Sequence, residues 1–96
     1  MGFLDFLRRS QEDPEAARRA RLLRTGRITE GTVIDIQTDE AGIITHVFFN
    51  YQIGGVEYES SQSLDAHQQL KSAGYAPGSH ITIRFDPHQP ANSVVV

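Results

Sequence analysis

Residues 46–61 read HVFFNYQIGGVEYESS, two alternating runs on either side of a Gly-Gly pair, and the fold follows from how the two runs face each other. With Gly54 and Gly55 as the central residues of a type I′ or II′ turn, Ile53 must oppose Val56, Tyr51 must oppose Tyr58, and Phe49 must oppose Ser60. Side chains alternate at period two along a strand. Val47, Phe49, Tyr51, Ile53, Val56 and Tyr58 therefore share an apolar face, while His46, Asn50, Gln52, Glu57 and Glu59 share the wet one. A register slip of one residue would bury Glu57 and Glu59, so this hairpin has one stable pairing.

The chain has 96 residues, enough for a single core and too few for two. Cysteine is absent, which excludes disulfides, thiol nucleophiles and thiolate metal sites. No apolar run approaches the ~18 residues of a membrane span, and the opening MGFLDFLRRS carries charges where a signal peptide needs its apolar centre. Phe6 stands where a myristoylation signal at Gly2 would need Ser or Thr. The net charge of −3 is uneven: residues 1–27 hold seven Arg against four carboxylates, and the rest hold Lys71 and Arg84 against eight. Such asymmetry fits a basic arm that lies on an acidic body or reaches for an anionic partner.

The expected organisation is an amphipathic, Arg-rich helical arm over residues 1–26 and a β domain over 27–96. Phe3, Leu4, Phe6 and Leu7 make residues 3–9 apolar around most of a helical circumference, and a helix that short needs a surface to persist in water. Asp13 before Pro14 reads as an N-cap followed by proline at the first helical position. Ala16, Ala20 and Leu23 recur at helical spacing, Glu15 can pair with Arg19, and Gly26 is the expected stop.

Strands are predicted over 27–37, 43–53, 56–62, 79–85 and 91–96, with a short helix between Ser63 and Gly74. A tight loop over TDEAG sets Ile36 opposite Ile43, Ile34 opposite Thr45 and Thr32 opposite Val47 on the core face. The same register sets Gly31 opposite Phe48 on the outer face, where an aromatic covers a strand glycine. Tyr51, Tyr58, Ile34, Ile83 and Phe85 are the expected core.

The fold class is mainly β: a small five-stranded antiparallel barrel or curled sheet, with the OB-like order β-β-β-α-β-β behind an N-terminal helical arm. An SH3-like barrel is the alternative. Gly31-Thr32-Val33, Tyr51-x-Ile53-x-Gly55-x-x-Tyr58, Pro77-Gly78, and Ile81-x-Ile83-x-Phe85-Asp86-Pro87-x-x-Pro90 followed by Ser93 form a spaced pattern. By it, roughly residues 28–96 resemble a widespread bacterial domain-of-unknown-function family. Phe85 stands where such members commonly have Tyr, and many of them carry membrane-spanning helices that this sequence lacks. The resemblance implies the β fold and supplies no activity.

The sequence offers little for chemistry. His46, His67, His80 and His88 lack the i+4 or i+2 partners of a metal pair. Asp86 and His88 share a proline-bounded turn in which Asp ordinarily bonds nearby backbone. The glycines form no phosphate-binding loop, and Ser60, Ser61 and Ser63 have no nucleophile-elbow context. The reading is therefore of no enzyme, no cofactor, no metal and no evident small-molecule substrate. The expected role is protein interaction or self-assembly through Phe3, Leu4, Phe6 and Leu7, with membrane-surface association by residues 3–9 as the alternative. Nucleic-acid binding by an OB-like face is disfavoured by the acidic body and the single Lys. The expected location is cytoplasmic, with a peripheral position at the inner membrane face as the alternative.

Overall fold

A computed structural model of the protein describes residues 14–96. A helix, α1 (Pro14–Thr25), precedes strands β1 (Arg27–Thr38), β2 (Ile44–Ile53) and β3 (Val56–Ser63). A one-turn helix, α2 (Ala66–Gln69), and a 3-10 turn (Ser72–Tyr75) then lead to strands β4 (His80–Asp86) and β5 (Gln89–Val95). The hairpin of β2 and β3 forms in the register that its alternation demands, with Ile53 facing Val56, Tyr51 facing Tyr58 and Phe49 facing Ser60. Gly54 and Gly55 take φ of 58° and 82°, the pair of positive values that a type I′ turn requires and only glycine adopts freely.

The sheet order is β3-β2-β1-β4-β5, and every neighbouring pair is antiparallel. Alternating directions along that order make β3 and β5 parallel to each other. These two edges come together, giving a nearly closed five-stranded barrel. Because β1 pairs with both β2 and β4, and the consecutive β3 and β4 are not neighbours, the OB-like arrangement is realised rather than an SH3-like meander.

The β1–β2 pairing differs from the sequence-based expectation. Val33 faces Phe49 and Asp35 faces Phe48, so Ile34 is an extra residue on β1, and Ile36 lands opposite Val47 rather than Ile43. This is a β-bulge, which reverses the side-chain parity of the strand and sharpens its bend. Ile34, expected in the core, is consequently 45% exposed, and Val33 is buried instead. Asp35 helps to hold the bulge, its carboxylate accepting from the Ile36 N–H at 2.8 Å. Gly31 also changes place: it lies opposite Tyr51 on the buried face, not opposite Phe48 on the outer one. A Cβ there would stand 2.3 Å from Ile83 Cδ1 and 2.7 Å from the Asn50 carbonyl oxygen. Close approach of the two neighbouring strands, the Ile83 side chain of β4 and the Asn50 carbonyl of β2, rather than cover by an aromatic, is therefore what requires glycine.

The central cluster contains Val33, Val47, Phe49, Tyr51, Ile81, Ile83 and Val95, with Leu64 and Tyr75 closing one end. Phe85 is buried as expected. Tyr58 is half-buried at the cluster edge, and Val56, on the same face but at the hairpin tip, is exposed. Tyr51 stacks between Phe49 and Tyr58, with ring centroids at 6.0 and 5.5 Å. Its hydroxyl donates to the Pro90 carbonyl at 2.7 Å, tying β2 across the barrel to β5. The helix expected between Ser63 and Gly74 is only one α turn followed by the 3-10 turn, as its weak amphipathic pattern allows.

Candidate functional site

The barrel is joined at its β3–β5 seam by side chains. Gln62 sits on the inward parity of β3 and is buried. Its Oε1 accepts from the Val95 N–H at 2.9 Å, while the Gln68 Nε2 donates to the Val95 carbonyl at 3.0 Å. Two side-chain amides thus do for Val95 what a neighbouring strand would do. Gln68 is held for this task by a capping box: its backbone N–H donates to the Asp65 carboxylate at 2.8 Å, and its Oε1 accepts from the Asp65 N–H at 3.1 Å. Ser93 lies nearby, and its hydroxyl is the one buried side-chain oxygen without a hydrogen bond among the described residues.

Helix α1 packs on β4 and β5. Leu22, its single buried residue, and Val94 of β5 are both buried outside the central cluster. The helix is fastened at both sides of the seam. Arg18 donates to the Asn92 side chain and the Ser93 carbonyl of β5, each at 2.8 Å, and Arg19 donates to the Ser63 hydroxyl of β3 at 3.0 Å. Both guanidiniums also pair with Glu15. The hydrogen bond from Arg18, with Arg19 assisting, holds the Glu15 carboxyl below its ordinary range against the opposing effect of burial. Arg18 and Arg19 therefore spend their charge on the seam. Gly26 follows the helix as expected, but it ends it without a positive φ: its N–H donates to the Leu22 carbonyl at 2.7 Å, and the Arg84 guanidinium donates to its own carbonyl at 3.0 Å.

Between α1 and the seam runs a groove of about 580 Å³. One wall is the helical face of Ala16, Ala20 and Leu23, the residues whose spacing marked an apolar stripe; Val94, Val95 and Val96 line it with Gln62 and Gln68. Leu23 and Val96 are 44% and 50% exposed there, and Glu15, Arg19, Asp65 and His67 also line it. Its size is that of a ligand or peptide site, and its lining, apolar with a few charged residues, suits an apolar segment with polar flanks.

The candidate residues Phe3, Leu4, Phe6 and Leu7 lie outside the described residues, as does the Asp13 cap. What the structure adds is the groove, lined from the first turn of α1 at Glu15 and Ala16. Sequence reasoning did not reach Gln62 and Gln68. A signal for each was present: Gln62 is a polar residue on a core parity, and Asp65-x-x-Gln68 is the spacing of a capping box.

The chemical inventory is sparse. The Asp86 carboxylate accepts from the His88 N–H at 2.8 Å, a turn contact. His80 stands 3.0 Å from the Glu30 carboxylate with both side chains exposed. Among the described residues no group of three or more histidines or carboxylates is placed to hold a metal, and no helix is long and apolar enough to cross a membrane.

A nearly closed OB-like barrel with a helix fastened across its seam is the class of protein that these observations define. The chain belongs to a family of domains of unknown function, DUF3592, whose pattern matches residues 24–96. No curated protein and no solved structure matches the chain.

Proposed function

We propose that the protein is a non-enzymatic interaction module. Its groove between α1 and the β3–β5 seam receives a short apolar helical segment of the kind formed by Phe3, Leu4, Phe6 and Leu7. The observation that carries this reading is the apolar groove itself, opening at the root of an apolar segment that needs a surface. The outer face of β2 and β3 gives no comparable support to nucleic-acid binding, since it carries Glu57 and Glu59.

The test is titration of a synthetic peptide of residues 1–10 into a chain that lacks residues 1–12. Burying Phe3, Phe6 and Leu7 is worth about 1.5–3 kcal/mol each, part of which offsets the cost of ordering the peptide. The expected Kd is then on the order of micromolar to millimolar. Ala20→Arg, on an exposed helical position that lines the groove, should abolish binding while the circular dichroism stays unchanged. Binding that is indifferent to Ala20→Arg, or no binding at all, refutes the reading.

A further inference from the structure

We propose that the free edge of β1, from Ile34 to Thr38, is a self-pairing site at which a second copy of the chain adds its own β1, antiparallel, across a two-fold axis at Ile36. The ladder between β1 and β4 ends at Thr32 and His80. The last bonds on that side belong to Val33, whose N–H donates to the Ser79 carbonyl at 2.9 Å and whose carbonyl accepts from the Gly78 N–H at 2.8 Å. Beyond Val33, β1 pairs with β2 alone among the described residues. The groove at the β3–β5 seam takes no part, so this inference stands apart from the groove reading.

The backbone direction at Ile36 follows from the hairpin. Ile53 and Val56 flank a two-residue turn and form a hydrogen-bonded pair. Phe49 and Val47 therefore also turn their backbone polar groups toward β3, while Phe48 and His46 turn theirs toward β1. Asp35 and Gln37, which face Phe48 and His46, bond to β2, and Ile36 between them aims its N–H and C=O out of the sheet. Such an edge is a template for another strand. A guard stands on it: the Asp35 carboxylate accepts from the Ile36 N–H at 2.8 Å, occupying the donor that an added strand would use.

Charge selects the register. In a pairing centred on Ile36, Ile36 meets Ile36 of the second copy, Asp35 meets Gln37, and Ile34, 45% exposed, meets Thr38. Centring on Gln37 instead sets Asp35 against Asp39 at both ends, and centring on Asp35 sets the two Asp35 carboxylates against each other; like charges directly opposite are destabilising. Centring on Thr38 runs past the end of the strand. The edge is thus complementary to itself in one register, the isologous arrangement of a two-fold dimer. Five residues a side is far below the roughly 20–30 of a standard interface, so the dimer is weak and concentration-dependent, and both Asp35 carboxylates must let go for it to form.

The test is sedimentation equilibrium of the full chain from micromolar to millimolar concentration at low salt. Gln37 is exposed, and Gln37→Lys places an ammonium across from Asp35 in both halves of the pair. It should lower the dimer Kd roughly twofold to thirtyfold, the effect of two opposite-charge cross-strand pairs, and Gln37→Glu should raise it. Gln52→Lys makes the same charge change on an exposed position of β2 away from the edge and should leave Kd unchanged. Asp35→Ala removes the guard and should tighten the dimer, and Gln37→Lys added to it should bring no further gain. Should Asp35→Ala fail to fold, Asp35→Asn serves the same comparison, because its amide oxygen can still accept from the Ile36 N–H. Equal tightening by Gln37→Lys and Gln52→Lys, or a lysine effect that survives the loss of the Asp35 charge, places the contact elsewhere and overturns the proposal. Monomer at every concentration in every variant overturns it too, and leaves the edge to a foreign strand.

Discussion

Replacing Gln62 by methionine isolates the seam. Methionine fills nearly the same volume, so packing changes little, but the acceptor for the Val95 N–H is gone. That N–H points away from β4 into a region where both Gln62 and Val95 are almost fully buried, and its acceptor there is the Gln62 side chain. A buried donor left unmade costs about 1–3 kcal/mol. For a domain of this size each kcal/mol moves the midpoint by about 4–8 °C, so Gln62→Met should lower Tm by roughly 5–20 °C. The loss should also be local. Hydrogen exchange at the Val95 amide should quicken by roughly tenfold to a hundredfold relative to its neighbours, the factor that follows from 1.4 kcal/mol per decade. Gln68→Met orphans the other polar group of the same residue, so the double variant should lose less than the two single losses added together. A Gln62→Met protein with an unchanged midpoint and unchanged Val95 exchange would refute the claim that side-chain amides close this barrel.

Gly31→Ala should destabilise by about 1–3 kcal/mol in chemical denaturation, because the added methyl meets Ile83 and the Asn50 carbonyl together; a neutral effect would show that the neighbouring strands yield. Tyr51→Ala should cost more than Tyr58→Ala, with about 3–5 kcal/mol for the former, since Tyr51 is buried and bonded to Pro90 whereas Tyr58 is half-buried. Burial pushes the phenols of Tyr51 and Tyr75 above their ordinary value of 10, so the folded state holds these protons more tightly than the unfolded chain does. Their contribution to stability is complete below that value and is lost as pH rises through the higher folded value. Alkaline unfolding followed by phenolate absorbance should begin later in Tyr51→Phe. Removal of residues 1–12 should leave the β-sheet circular dichroism intact, because Val33, Val47, Phe49, Tyr51, Ile83 and Val95 pack against one another from β1, β2, β4 and β5.

The hairpin of β2 and β3 was legible because it is local. Two glycines, a period of two and an apolar face admit one register, and that register is the one observed. The strands, the turn at Asp86 to Gln89 and the helix from Pro14 were legible for the same reason: each is specified by neighbours in sequence through propensity, capping and alternation. The bulge at Ile34 was not. Asp35 and Ile36 alternate as well as any strand pair, and the decision to loop out Ile34 depends on Val33, Gly31 and Ile36 meeting Phe49, Ile83 and Val47 on two different strands. Nor could the sequence place α1 on the seam. That position depends on β3 and β5, distant in the chain, converging so that Arg18 and Arg19 find oxygens on opposite edges. The apolar stripe of Ala16, Ala20 and Leu23 was visible as a pattern, but patterns do not say what they face. Only the closure of the barrel turned that stripe into the wall of a groove, because a groove belongs to two surfaces and sequence periodicity describes one at a time.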